Sequence, residues 1–149
     1  MINEGASPAK PTAVLDSNVL ISGFSFSGGN PDAILNLLRH GNIHVHISAF
    51  ILDEVSRAWR RRFAWDESRI EEALLFLRTY CTVVDPLQVA SVSGLTAADN
   101  RVLDCAVDGG VQYLVTGDRG IQRINEYQGV SIVSPAEFLE IFLRNRAEH

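Results

Sequence analysis

Short apolar runs alternate with longer segments of helical period along the whole chain. Ala13-Val14-Leu15 is uninterruptedly apolar and stops at Asp16, the pattern of a parallel strand buried on both faces with a carboxylate at its end. Residues 22–30 are rich in Gly and Ser, with Phe24 and Phe26 among them, and read as a loop. Asn30 as N-cap and Pro31 in the first turn then open a helix over 31–39. Residues 43–47 alternate Ile, His, Val, His, Ile, a period-two strand with one apolar face. Leu52, Val55 and Trp59 mark a helix over 48–62, and Ile70, Ala73, Leu74 and Leu77 a second over 66–80. A short strand at 82–84 stops at Asp85-Pro86 and leads into a loop over 88–94. Thr96 and Asp99 have capping-box spacing at the head of a helix over 96–107, which Gly109-Gly110 ends. A strand at 113–116, a short helix at 121–125 and a strand at 130–133 follow. Ser134-Pro135-Ala136-Glu137 starts the last helix, expected over 134–144.

Strands and helices taking turns predict an α/β fold: a three-layer α/β/α sandwich around a mainly parallel sheet of four or five strands. The expected organisation is a flexible N-terminal lead at 1–11, one domain at 12–145 and a C-terminal tail at 146–149. With 149 residues, the chain suits one domain able to bury about two-thirds of its unfolded surface. Apolar residues at 46% and charged residues at 21% suit a soluble globular protein. No apolar run approaches the ~20 residues that span a bilayer, and residues 1–11 lack the apolar core of a signal peptide. A cytoplasmic protein without membrane association is expected. Cys81 and Cys105 have no paired spacing, which fits buried thiols in a reducing compartment.

The net charge of −5 excludes a chain that grips nucleic acid over its whole surface. It leaves room for a local basic patch. Lys10 is the sole lysine, and twelve arginines make up the rest of the 13 basic residues. Arg57, Arg60, Arg61 and Arg62 crowd the end of one helix and are candidates for phosphate contact.

Four acids stand where elements should reach one edge of the sheet. Asp16 ends the first strand, and Asp118 follows the strand at 113–116 in Thr116-Gly117-Asp118. Open α/β sheets bind ligands outside the carboxyl ends of their strands. Glu54 borders the buried side of its helix, whereas Asp53 points outward. Asp99 sits at a helix N-terminus, and Asp104 is a further acid in the same helix. Each has a plainer role: turn or cap for Asp16 and Asp118, a surface ion pair for Glu54, capping for Asp99, an exposed charge for Asp104. Asp108, at a helix C-terminus, reads as surface. Four carboxylates gathered together would raise each other's pKa unless a cation were present, and oxygen-only ligation suits Mg²⁺ or Mn²⁺. Such ions activate water and stabilise phosphate oxygens, so the set points to phosphodiester hydrolysis. His44 and His46 share a strand face but have no third zinc-type ligand at suitable spacing. A phosphate-binding Gly loop and a Gly-x-Ser-x-Gly elbow are absent.

Val14-Leu15-Asp16-Ser17-Asn18-Val19-Leu20, Gly28-Gly29-Asn30-Pro31, Ser48 six residues before Glu54, Asp99-Asn100-Arg101 and Leu114-Val115-Thr116-Gly117-Asp118 together resemble the PIN-domain family over residues 12–143. More narrowly they resemble the toxin components of toxin–antitoxin pairs. The resemblance implies a Mg²⁺- or Mn²⁺-dependent ribonuclease with Asp16, Glu54, Asp99 and Asp118 as catalytic metal ligands. It makes Ser17, Asn18, Thr116 and Asp104 supporting residues. The partners it implies are an RNA substrate, a cognate antitoxin protein and a second copy of the chain. Ser17 stands where Thr is common, and Arg119-Gly120 replaces the acidic or aromatic residues frequent after the last Asp.

Two other readings compete. Phosphoryl transfer to a strand-end Asp needs a later strand-end Lys, and Lys10 precedes the first strand. The same fold could instead hold RNA or protein without cutting, and metal dependence of RNA cleavage separates these.

Overall fold

The apolar runs become strands of one sheet. The computed structural model describes residues 9–87 and 90–148. Most of the expected N-terminal lead (1–8), Gln88 and Val89 of the 88–94 loop, and His149 of the C-terminal tail lie outside the described residues. In chain order the elements are β1 (Thr12–Leu15), α1 (Ser17–Ser25), α2 (Asn30–Arg39), β2 (His44–Ser48), α3 (Ala49–Arg61), α4 (Glu67–Tyr80), β3 (Thr82–Val84), α5 (Ala97–Gly109), β4 (Tyr113–Val115), α6 (Arg119–Gln122), β5 (Glu126–Tyr127), β6 (Val130–Val133) and α7 (Pro135–Ala147).

β1 lies between β2 and β4, and Val14 is level with His46 on one side and Leu114 on the other. The full order is β3-β2-β1-β4-β6-β5, parallel except for the β5–β6 pair. Ala13, Val14 and Leu15 are all buried because this strand is covered on both faces and both edges. From β1 the chain winds outward through β2 to β3. It then returns through α5 to β4 on the other side of β1. Right-handed crossovers place α5 on the face opposite the helices of the outward path, and α5 packs across β1, β2, β3 and β4. Cys81 and Cys105 are buried free thiols, pushed up to about 12 chiefly by burial.

The mainly parallel α/β/α arrangement is the one the pattern predicts, with differences in detail. The sheet has six strands because Glu126–Tyr127 pairs back on β6. Two residues are too few to show a period. Gln128 and Gly129, at φ 47° and 85°, make the tight two-residue hairpin that joins them. The short helix is Arg119–Gln122 rather than 121–125, since it starts directly on its Asp118 cap. The last helix continues to Ala147.

The larger difference is α1, where part of a loop was expected. Ser, Gly and β-branched residues are poor helix formers, and here tertiary packing outweighs propensity. Val19, Leu20, Ile21 and Gly23 are all buried. Gly23 lets α1 lie directly against α2: a Cβ there would fall 2.6 Å from Leu35 Cδ1 and 3.1 Å from the Pro31 carbonyl oxygen. This contact fixes the helix that begins at Ser17. Replacing Gly23 with Ala should therefore destabilise the protein by about 1–2 kcal/mol, overpacking outweighing the gain in helix propensity. Urea unfolding of Gly23→Ala measures it; a variant as stable as the parent would show that α1 and α2 are not in this close contact.

Candidate active site

The order β3-β2-β1-β4 reverses direction between β1 and β4, and ligand crevices of open α/β sheets form at that point, outside the carboxyl ends of the strands. Asp16 and Thr116 are the residues that leave β1 and β4 there. The Asp16 N–H donates to the Val115 carbonyl at 2.9 Å, and the Thr116 N–H to Val133 at 2.9 Å, so both are held by extensions of the sheet ladder. Thr116, wholly buried, donates its hydroxyl to Asp16 Oδ2 at 2.7 Å. The Thr116 hydroxyl in turn accepts the Asp118 N–H at 3.0 Å, which fixes the direction of its own proton.

The Asp16 carboxylate is 6% exposed. Burial raises its pKa from 3.8 to about 6, against the lowering effect of the Thr116 hydroxyl and the Ser17 N–H, and the charges of Glu54 and Asp99 raise it further. Glu54 comes from α3 and is half-buried; the Ser17 hydroxyl donates to its Oε1. Asp53 beside it is exposed and pairs with Arg57 at 2.9 Å. Asp99 comes from the first turn of α5. Its N–H donates to Thr96 Oγ1 at 3.1 Å, and its Oδ2 accepts the Thr96 N–H at 3.4 Å in a complete capping box. Asp16, Ser17, Asn18, Glu54, Asp99 and Arg62 line one cavity of about 220 Å³.

The PIN domain's sequence signature matches residues 12–120 of this chain. The chain belongs to the PIN-domain family. No curated protein sequence matches it. Among solved structures it is similar to VapBC2 from Rickettsia felis, crystallised with a DNA fragment from their promoter, at TM-score 0.57 and 15% identity over 83% of this chain and 98% of that one. It is similar to PAE2754 from Pyrobaculum aerophilum at TM-score 0.60 and 17% identity, covering 92% and 90% of the two chains. FitAB bound to the IR36 DNA fragment gives TM-score 0.58 and 18% identity over 83% and 94%. At these identities the structural likeness speaks for the fold.

Within this PIN domain, three of the four expected acidic ligands face one cavity. Asp118 does not line it. Its Oδ1 accepts the N–H groups of Gly120 at 2.7 Å and Ile121 at 3.1 Å, capping α6. It reaches the site through its backbone N–H and Thr116. Asp104 is buried and also lies elsewhere: its Oδ2 pairs with Arg101 Nε at 2.8 Å, and its Oδ1 accepts the Ala90 N–H, tying the loop before α5 to that helix. Of the arginines, Arg62 alone lines the cavity. Arg57 is paired with Asp53, Arg60 makes two hydrogen bonds to Glu67 at 2.7 and 3.0 Å, and Arg61 is exposed. The apolar walls Ile21, Ala58 and Val102 escaped the reading of the sequence. Helical spacing could have found them, since each lies one turn beyond Ser17, Glu54 or Asp99 on its own helix.

Among the described residues no three His, Cys, Asp or Glu side chains are placed to hold one ion together. The donor set nevertheless fits a Mg²⁺-type ion. Such ions take oxygen ligands, keep several waters, and need only one or two carboxylates. Asp16, crowded by burial and two acidic neighbours, is the carboxylate with most to gain from a cation.

Because the pKa of Asp16 is raised on folding, its ionisation opposes the folded state. The folded protein holds the proton up to about pH 6 while the unfolded chain loses it near 3.8, so stability falls as pH rises through that window. The cost above it is on the order of 3 kcal/mol. Relative to the parent, Asp16→Asn should gain stability between about pH 3.5 and pH 7.5 by up to that amount. Urea unfolding at the two pH values gives the difference directly, and a difference that does not change with pH would mean that Asp16 is not a strained carboxylate.

Proposed function

We propose that this PIN domain is a divalent-metal-dependent ribonuclease, the toxin of a toxin–antitoxin pair, acting in the cytoplasm. The observation that carries the nuclease reading is the convergence of Asp16, Glu54 and Asp99 on one cavity at the sheet's switch point, with Arg62 on its rim. Asp16 with one of the other two acids would hold Mg²⁺ or Mn²⁺, water completing its shell. When bound, the ion supplies a more acidic water and offsets negative charge on the phosphate.

The protein's own groups do the positioning. Thr116 and Ser17 fix the Asp16 and Glu54 carboxylates by hydrogen bonds. Arg62 offers a guanidinium for a non-bridging phosphate oxygen at the cavity's rim. Asp118 acts as a positioning residue, through its cap on α6 and its N–H to Thr116. RNA rather than DNA is the substrate implied by the family resemblance. An antitoxin partner is supported by that resemblance and by the likeness to VapBC2 and FitAB, each described bound to DNA.

In a single-stranded RNA cleavage assay with millimolar Mn²⁺, the parent should cut and chelator should stop it. Asp16→Asn, Glu54→Gln and Asp99→Asn should each lower the rate by about 100-fold or more, whereas Asp118→Asn, also a good cap, should cost far less. Metal-independent cleavage, or full cleavage by Asp16→Asn, would remove the proposed chemistry. RNA binding without cleavage under any divalent ion would leave a binding module.

A further inference from the structure

Beside the acidic cavity runs a band of aromatic rings and guanidinium groups that the phosphodiester chemistry does not use. Two short segments supply its first rings. The end of α1 supplies Phe24 and Phe26, and the turn after α3 supplies Phe63 and Trp65. Between the latter, Ala64 is held at φ 51°, a left-handed conformation that costs a non-glycine residue energy. That turn is pinned by the Trp65 N–H to the Trp59 carbonyl at 3.0 Å.

The band begins at the cavity's rim. Arg62 lines the cavity and lies 6.0 Å from the centre of the Phe63 ring. Phe63 meets Phe26 edge-on at 6.1 Å, and Phe26 is 63% exposed, a large apolar ring offered to water. Further along, Trp59 and Trp65 stack at 4.7 Å with their planes 7° apart, and the Arg69 guanidinium carbon lies 3.7 Å over the Trp65 ring. Trp59 and Arg69 are too close to share one face of Trp65, so they cover opposite faces. The outermost plane of that stack is therefore the exposed guanidinium of Arg69. Trp65 and Arg69 line a groove of about 250 Å³ with Phe24, Phe76 and one acid, Glu72. Arg39 lies over Phe76 at 5.2 Å. Among the described residues, Arg39, Arg62 and Arg69 have no carboxylate ion pair, unlike Arg57, Arg60 and Arg101.

We infer that this band holds the unpaired bases of the RNA strand next to the scissile phosphate, with Phe26 and Arg69 as the stacking surfaces. The inference rests on the nuclease reading of the adjoining cavity. Guanidinium groups without a carboxylate partner, on a chain of net charge −5, match a polyanion. The exposed ring of Phe26, the half-buried rings beside it and the guanidinium groups match the faces of bases, which only unpaired nucleotides present. A protein partner's apolar anchor would want a dry pocket, whereas these rings are rimmed by charge.

The test is binding without divalent metal, followed by fluorescence anisotropy. The probes are a labelled single-stranded oligoribonucleotide, the same sugar–phosphate chain without bases, and the corresponding RNA duplex. Phe26→Leu keeps an apolar side chain but removes the ring, so it should weaken binding of the single strand about fivefold or more, the low end for one stacked base. It should leave the base-free chain and the duplex bound as by the parent, and Phe26→Trp should restore the single strand. Arg69→Gln should weaken the single strand too and lower the salt dependence of its binding by about one phosphate contact. Equal affinity of parent and Phe26→Leu for the single strand, equal losses for the base-free chain, or no binding by the parent would each overturn the inference. Equal affinity would leave the rings as a protein-docking face. Mn²⁺-dependent hydrolysis of bis(p-nitrophenyl) phosphate by the parent reads the acidic cavity alone, so failure of the band and failure of the nuclease reading are separate results.

Discussion

Asp16 is a carboxylate that the fold forces out of water. It follows β1, a central strand with parallel neighbours on both edges and helices over both faces, at the point where the order of strands reverses. Nothing in that position lets the side chain retreat to solvent, and burial is the largest contribution to its raised pKa. The rest of the site serves this one group. Thr116 hydrogen-bonds it from β4, Ser17 begins α1 beside it and ties in Glu54 from α3, and α5 brings Asp99 from the opposite face of the sheet. A lone buried acid would be expected to stay protonated. Asp16, Glu54 and Asp99 meet around one cavity, each oriented by a neighbouring hydroxyl or N–H group.

The sequence makes the frame of this site legible because buried parallel strands are uninterruptedly apolar and stop at the polar residue that leaves the sheet. Ala13-Val14-Leu15-Asp16 and Leu114-Val115-Thr116 can be read in that way without a structure. Glu54 is legible too, from its place at the border of the apolar stripe made by Leu52, Val55 and Trp59. The details that fail share one cause: they depend on partners distant in the chain. α1 forms because Gly23 fits beneath Leu35 from the next helix, against its own weak propensity. Asp104 looks like a further member of the acidic set until the preceding loop returns to place the Ala90 N–H on it, with Arg101 as its ion-pair partner. Arg57 and Arg60 look like phosphate ligands until Asp53 and Glu67 are seen to neutralise them.

Asp118 shows how one residue type at one position can serve two ends. It has the same strand-then-acid layout as Asp16, yet its carboxylate turns back to cap α6. Gly120 permits this, since a Cβ there would come within 3.0 Å of Asp118 Oδ1. Through its N–H it also orients the hydroxyl that holds Asp16. Membership of the PIN-domain family and the meeting of Asp16, Glu54 and Asp99 at one cavity are the two observations behind the nuclease proposal. Among the described residues no helix is long and apolar enough to cross a membrane.

The central claim is that Asp16 is held in a strained, partly protonated state that a divalent ion resolves. Calorimetric titration with Mn²⁺ in two buffers of different ionisation enthalpy counts the protons released. With the Asp16 pKa at about 6, binding near pH 6 should release about half a proton per ion, and binding near pH 8 almost none. Asp16→Asn should release none at either pH and bind far more weakly. An absence of Mn²⁺ binding, or the same proton release from Asp16→Asn as from the parent, would contradict the account.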